Sequence, residues 1–189
     1  MESLRPFVCL ILLPASSSSQ SAVLRHDFEF GAAGLFPVSG YRAVGYSAGP
    51  GLRAGYEFRA LKHFGAEAGF TDAWPVATEG CNRFGCTYSR QSLKLLDYGL
   101  RGVALLAGNR VELSIGLGGG YVWHPYGFSG PFGPNGHLLQ YSGKAASAVD
   151  RSARFRLAVG VRTWRDLSRP TQQWLSTTGG VVISLGDRP

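Results

Sequence analysis

The sequence Val-Glu-Leu-Ser-Ile-Gly-Leu-Gly-Gly-Gly-Tyr-Val-Trp, residues 111–123, decides the fold. Apolar side chains recur at alternate positions from Val111, and the positions between them hold Glu112, Ser114 and glycines as far as Gly120. Such alternation is typical of a β-strand whose two faces meet different surroundings. The turn dipeptide at residues 108–109 joins this segment to another alternating run, which predicts an antiparallel hairpin.

Alternation of the same kind continues over most of the chain and predicts one all-β domain. The chain has 189 residues, which suits a single domain, and its 27 glycines argue against a helical protein. No run of 18 apolar residues is present, so no conventional transmembrane helix is expected. Eight strands are predicted near Phe28–Phe36, Leu52–Arg59, Phe64–Trp74, Leu93–Leu106, Val111–Trp123, Gln140–Val149, Arg154–Trp164 and Trp174–Leu185.

Glycine and charge share one face of these strands, which indicates that this face lines the inside of a narrow barrel. A solvent-facing strand gains nothing from glycine, whereas a crowded eight-stranded interior needs it beside long side chains. Charges buried there must be paired. The predicted lumen ion pairs involve Glu29, Arg53, Glu57, Arg59, Glu67, Asp97, Arg101, Glu112, Lys144, Arg156 and Arg162.

The aromatic residues fall at two levels when the strands are numbered alternately up and down. Two levels are typical of the belts at the two interfaces of a membrane. The predicted belts consist of Trp74, Trp123, Trp164 and Trp174 at one level and Phe28, Phe58, Phe64 and Phe155 at the other. Long connections lie at the tryptophan level and short ones at the phenylalanine level, as expected for external loops and periplasmic turns.

The N-terminus and the cysteines indicate export from the cytoplasm. Residues 1–22 combine a short apolar core with small residues after it, which predicts a cleaved signal peptide and leaves residues 23–189 as the barrel domain. Cys81 and Cys86 stand in a polar, glycine-containing segment, which predicts a disulfide in an external loop. A metal site would need further ligands nearby, and the four histidines are scattered.

These features resemble the small eight-stranded outer-membrane β-barrel family, the OmpA/OmpX-type transmembrane domain. The resemblance covers about residues 27–185 and implies an antiparallel up-and-down barrel in the outer membrane of a Gram-negative-type envelope. The expected partners are outer-membrane lipid, lipopolysaccharide and the barrel-assembly machinery, and the expected state is a monomer. One departure is that the family usually ends its last strand with an aromatic residue, whereas here Leu185 is followed by Gly-Asp-Arg-Pro.

The functional prediction is a non-enzymatic barrel whose lumen is closed by ion pairs and whose loops serve structural or surface-binding roles. No catalytic residue, metal or cofactor is assigned, and the loop ligand is not identified by the sequence. The net charge of +7 is spread along the chain, so a nucleic-acid partner is not expected. Two alternatives remain open, namely a soluble lipocalin-like carrier and a lipid-modifying barrel enzyme that uses His124 and Ser129.

Overall fold

The computed structural model describes residues 22–39, 47–90, 92–123, 135–167 and 173–186. Their secondary structure consists of ten β-strands. These are β1 (Ala22–Ser39), β2 (Gly49–Leu61), β3 (Phe64–Ala73), β4 (Val76–Asn82), β5 (Gly85–Arg90), β6 (Leu93–Leu106), β7 (Val111–Trp123), β8 (Asn135–Ala148), β9 (Phe155–Asp166) and β10 (Gln173–Gly186). No helix of the described part of the chain is long and apolar enough to cross a membrane.

Eight of these strands form a closed antiparallel barrel, which confirms the predicted fold. Each barrel strand pairs with the neighbours that precede and follow it around the wall, and β1 closes the ring by pairing with both β2 and β10. β4 and β5 pair only with each other and form a separate hairpin between β3 and β6. Closure satisfies the backbone groups of every barrel strand, which a membrane interior requires.

Two strands begin earlier than the alternation indicated. β1 begins at Ala22 rather than at Phe28, because Arg25 is already in register with Arg59 of β2 and Gly186 of β10. β8 begins at Asn135 rather than at residue 140, so the weakest predicted strand is as long as its neighbours. The β4–β5 hairpin lies in a segment predicted to be a loop. Residues 1–21 lie outside the described residues, so the signal peptide stays a prediction.

The connections differ in length between the two ends of the barrel, as predicted. The short turns span residues 62–63, 107–110 and 149–154, and all three lie at the same end. The turn before β7 places Ala107, Gly108 and Asn109 at φ values of 50°, 64° and 67°. Glycine and asparagine tolerate this left-handed backbone better than other residues, which explains the turn signal in the sequence.

The outer wall is covered by large apolar side chains. Ile115 is 75% exposed, Leu100 is 72% exposed and Val159 is 65% exposed, and these side chains belong to a band that continues around the barrel. A water-soluble protein rarely exposes so large a continuous apolar surface, whereas the lipid-facing wall of a membrane barrel requires one. The lipocalin-like alternative required this face to point inward and is therefore wrong.

Candidate functional site

The inner wall carries the charged side chains. Every residue of the predicted lumen set is buried, and the structure adds Asp166, which is 8% exposed, together with Arg25 and Asp27, which are each 2% exposed. The predicted first strand begins at Phe28, so Arg25 and Asp27 lie outside the predicted set. Their positions extend the alternate series that contains Glu29, so the same signal could have found them.

The layer nearest the short turns is centred on Glu112, which contacts three arginines. Arg25 donates to Glu112 Oε1 at 2.6 Å, and Arg59 donates to Oε2 at 2.7 Å. Arg156 Nη2 lies 3.1 Å from Oε1. Arg25 also donates to Asp27 at 2.8 Å. Because β1, β2, β7 and β9 all contribute, this layer connects widely separated parts of the wall.

The middle layer joins two carboxylates through a lysine. Lys144 Nζ donates to Glu57 Oε2 at 3.1 Å and to Glu29 Oε2 at 3.3 Å. Arg101 forms a hydrogen-bonded ion pair with Glu67, and its Nη1 donates to Ser114 Oγ at 2.8 Å. Glu57 also accepts from Arg59 at 2.6 Å, so the middle layer is continuous with the layer around Glu112.

The layer farthest from the short turns contains a bidentate ion pair. Arg53 donates to both carboxylate oxygens of Asp97, at 2.6 Å and 2.8 Å, and to Thr71 Oγ1 at 3.1 Å. Two parallel N–H···O bonds fix the guanidinium more firmly than a single contact does. Arg162 lies between this layer and the middle one, 3.6 Å from Glu67 and 4.0 Å from Asp97.

The charges of the interior balance, and little empty space remains between them. Among the described residues, seven buried cationic side chains accompany seven buried carboxylates. They are Arg25, Arg53, Arg59, Arg101, Lys144, Arg156 and Arg162, with Asp27, Glu29, Glu57, Glu67, Asp97, Glu112 and Asp166. A cavity beside Lys144 and Arg162 measures about 10 Å³, which is at the lower limit for one water molecule.

The interior glycines serve two purposes. A Cβ atom on Gly69 would overlap the guanidinium of Arg53, so this glycine makes room for a charged side chain, as the sequence predicted. A Cβ atom on Gly118 would instead overlap the carbonyl of Tyr98 on the neighbouring strand. There glycine permits the close backbone approach that a narrow barrel imposes. The position of glycine on the charged face of the strands did not by itself indicate this role.

Two of the predicted belt tryptophans lie inside the barrel, which corrects the belt assignment. Trp164 and Trp174 are each 1% exposed, and they are cross-strand partners at the long-loop end. They pack in an apolar interior cluster with Leu35, Ala73, Leu93, Leu95, Val122 and Leu138. Both tryptophans lie an even number of positions from the lumen residues of their strands, so they face inward. Their level along the barrel axis is the predicted one.

The other belt residues are compatible with the outer wall. Phe64 and Phe155 are 52% and 50% exposed, and both begin strands at the short-turn end. Phe28 and Phe58 are half-buried on the outer wall of β1 and β2. Trp74 is half-buried just after β3. The backbone of Trp123 ends β7 at the long-loop end, and its side chain lies outside the described set.

The β4–β5 hairpin is the described part of the loop between β3 and β6. Cys81 and Cys86 are directly opposite in its register, and Cys86 is disulfide-bonded. Phe84 at the tip is 84% exposed, and the guanidinium carbon of Arg83 lies 4.8 Å from the centre of its ring. Tyr88 on β5 is 66% exposed. The hairpin thus presents an aromatic and cationic tip at the long-loop end.

The residues of the alternative enzyme hypothesis lie outside the described part of the chain. His124 and Ser129 both belong to the segment between β7 and β8 that is not described. Within the described ranges, no group of three or more histidine, cysteine, aspartate or glutamate side chains is placed to hold a metal ion. The described interior therefore consists of mutually paired charges and an apolar cluster.

This architecture defines the class as the small eight-stranded outer-membrane-type β-barrel, and solved structures share its fold. The outer membrane protein OprG from Pseudomonas aeruginosa aligns with a TM-score of 0.59 at 9% identity, over 88% of this chain and 98% of OprG. Ail, the attachment invasion locus protein of Yersinia pestis, aligns with a TM-score of 0.56 at 13% identity, over 86% and 99% of the two chains.

Neisserial surface protein A is a third example, with a TM-score of 0.53 at 14% identity over 86% of this chain and 97% of that protein. The alignments extend over nearly the whole length of each of these proteins, so the likeness concerns the complete barrel. At these identities it establishes the fold alone. No protein-family model matches the sequence, and a search of curated proteins found no match.

Proposed function

We propose that this protein is a non-enzymatic integral barrel of the outer membrane whose lumen is closed to solutes. The observation that supports closure most directly is the continuous ion-pair network from Arg25 to Asp97, with the apolar cluster around Trp164 above it. Eight strands enclose only enough volume for side chains. A solute would have to break several buried ion pairs, each of which leaves an unpaired charge at considerable cost.

The proposed partners follow from the two surfaces of the barrel. The apolar band contacts membrane lipid, and the external rim meets lipopolysaccharide, whose anionic groups suit a chain with a net charge of +7. Assembly proceeds through the barrel-assembly machinery, and the protein functions as a monomer because its closed sheet offers no free edge among the barrel strands.

Planar-bilayer recording tests the closed lumen. The purified protein is first shown to be folded by a shift in gel mobility between boiled and unboiled samples. We expect no stepwise current from the folded protein at either polarity. A porin of known conductance, reconstituted in the same bilayers, serves as the positive control. Steady open-channel currents from the folded protein would refute the closed lumen.

We further propose that the β4–β5 hairpin is a surface-binding element with an anionic polysaccharide as its ligand class. The supporting observations are the exposed tip, where Arg83 lies over the ring of Phe84, and the exposed Arg90 at the base of the same hairpin. Ail, which has this fold, has been crystallised in complex with the heparin analogue sucrose octasulfate. Arginine suits such a ligand because its planar donors match sulfate or phosphate oxygens.

Binding of immobilised heparin to the detergent-solubilised barrel tests this second proposal. The variant Arg83→Gln/Arg90→Gln should bind about tenfold more weakly, because each lost contact of an exposed arginine is worth about 0.2–1 kcal/mol. The control Lys62→Gln removes a positive charge from the short turn between β2 and β3, at the opposite end, and should bind like the unmodified protein. Equal losses in both variants would show that only net charge matters.

A further inference from the structure

A second cluster of cations surrounds an open cavity at the short-turn end of the barrel. The cavity measures about 170 Å³ and lies between the β6–β7 turn, the β8–β9 turn and the end of β10. Five arginines line it, namely Arg25, Arg110, Arg151, Arg154 and Arg156. No carboxylate lines it among the described residues.

The two inner arginines of this mouth are held by the lumen network but are not fully satisfied. Arg25 and Arg156 are 2% and 1% exposed, and both contact Glu112 and donate to Ser184. The Nε of Arg156 has no hydrogen-bond partner although it is buried. A buried donor without a partner costs free energy, and an acceptor entering the cavity would relieve that cost.

The three outer arginines carry positive charge that the described carboxylates do not neutralise. Arg110, Arg151 and Arg154 are exposed and form no ion pair within the described ranges. The nearest acid on the same turn is Asp150, which accepts hydrogen bonds from Ser152 and from the backbone N–H of Phe155. Its carboxylate is therefore engaged within its own turn.

From these contacts we propose that the short-turn mouth binds a phosphate group. A phosphate monoester carries nearly two negative charges at neutral pH and three strong acceptor oxygens, so it matches several arginines better than a single carboxylate does. The cavity is large enough for such a group and too small for a drug-sized ligand. The phosphate can belong to a free anion or to a lipid headgroup.

Isothermal titration with inorganic phosphate, carried out on the folded barrel in an uncharged detergent, tests the free anion. The unmodified protein should bind phosphate, and Arg151→Gln/Arg154→Gln should weaken binding about tenfold, because both arginines are exposed. Arg151→Lys/Arg154→Lys keeps the charge but loses the planar fork, so it should fall between the two. The control Lys94→Gln, which removes a partly exposed cation at the long-loop end, should leave the affinity unchanged. A heat-dependent shift in gel mobility establishes that each variant is folded.

Native mass spectrometry with phosphatidic acid and with a diacylglycerol of the same acyl chains tests the lipid headgroup. Preferential retention of phosphatidic acid that the Arg151→Gln/Arg154→Gln variant loses identifies the headgroup as a source. Binding of inorganic phosphate with equal retention of the two lipids identifies the free anion, and a response in both measurements supports the shared chemistry. Absence of both responses, or equal weakening by Lys94→Gln, overturns the proposal.

Discussion

At the scale of the residue, Glu112 is the most heavily engaged carboxylate of the lumen. Its two oxygens lie within 3.1 Å of Arg25, Arg59 and Arg156. Removing this carboxylate takes away the ion-pair partner of Arg156 among the described residues and leaves Arg25 and Arg59 with only Asp27 and Glu57. Glu112 therefore stabilises the barrel by compensating the charge of the arginines around it.

We expect Glu112→Gln to lower the free energy of unfolding by about 3–5 kcal/mol, because it removes the anion shared by three buried cations. Urea titration in detergent micelles, followed by gel mobility, measures the change. The control Asp72→Asn removes a carboxylate that lies 3.7 Å from a partly exposed Lys94, and it should cost less than about 1 kcal/mol. Similar losses in the two variants would contradict the assigned importance of burial.

Gly69 provides a second test at the same scale. We expect Gly69→Ala to destabilise the barrel by about 1–3 kcal/mol, because the new methyl group overlaps the Arg53 guanidinium and displaces it from Asp97. The matched control is Gly143→Ala, where the methyl group meets no atom within 4 Å. Thermal unfolding of both variants in the same detergent measures the difference. A Gly69 variant as stable as the control would refute the close contact.

At the scale of the element, the turn between β8 and β9 is organised by one exposed carboxylate. The hydrogen bond from Ser152 and the one from the Phe155 N–H lower the pKa of Asp150 from 3.8 to about 2. A lowered pKa means that these bonds stabilise the folded turn above about pH 4 and that their contribution is lost as the pH falls from there toward 2.

We expect the Asp150 carboxyl group to titrate near pH 2 when followed by the NMR shift of its side-chain carbon. Ser152→Ala should move the midpoint upward, toward the ordinary value of 3.8, because it removes the largest cause of the shift. The amide signal of Phe155 should report the same midpoint. An unchanged midpoint in the Ser152 variant would show that the hydroxyl does not hold the carboxylate.

Alternation predicted the barrel strands and their inward faces. Successive side chains of a strand point to opposite sides of the sheet, so one inward residue fixes the direction of all the others on its strand. Alternation did not predict the features that strand pairing or loop structure determines. The early start of β8 rests on pairing with β7 rather than on its own composition, and the β4–β5 hairpin carries no amphipathic pattern. The level of Trp164 along the barrel axis predicts a membrane belt, whereas its even spacing from Arg162 in the sequence indicates the inward position that the structure shows.

The candidate sites were predictable to different degrees. The charged lumen followed from the strand pattern, because each member lies an even number of positions from the other inward residues of its own strand. The arginines of the short-turn mouth come from two turns and two strands, so only the closed barrel brings Arg110 and Arg154 to one cavity. A cluster whose members come from distant segments of the chain leaves no local pattern in the sequence.

At the scale of the whole molecule, the lumen is blocked at two successive levels along the barrel axis. The ion-pair network fills the part toward the short turns, and the apolar cluster around Trp164 and Trp174 fills the part toward the long loops. The two depend on different physics, since the first rests on paired charge and the second on packing. Removing one should therefore leave the other in place.

We expect Trp164→Ala/Trp174→Ala to lower stability by about 3–5 kcal/mol for each tryptophan while the barrel remains electrically closed, because the charged layers are untouched. Urea titration and planar-bilayer recording of the same preparation measure the two properties. The half-buried Trp74 on the outer side supplies the control variant Trp74→Ala, which should cost less. Stepwise currents from the double variant would assign closure to the apolar cluster alone.

The inward charges also affect the chain before it folds. Seven of the eight barrel strands carry at least one buried charged side chain, β10 being the exception, and the mean hydropathy of the whole chain is close to zero. A translocation channel releases segments sideways into lipid only when they are sufficiently apolar, and each central arginine or aspartate opposes release by about 2.5–3.5 kcal/mol. The side chains that seal the finished barrel therefore also keep the nascent polypeptide from being stranded in the first bilayer that it crosses.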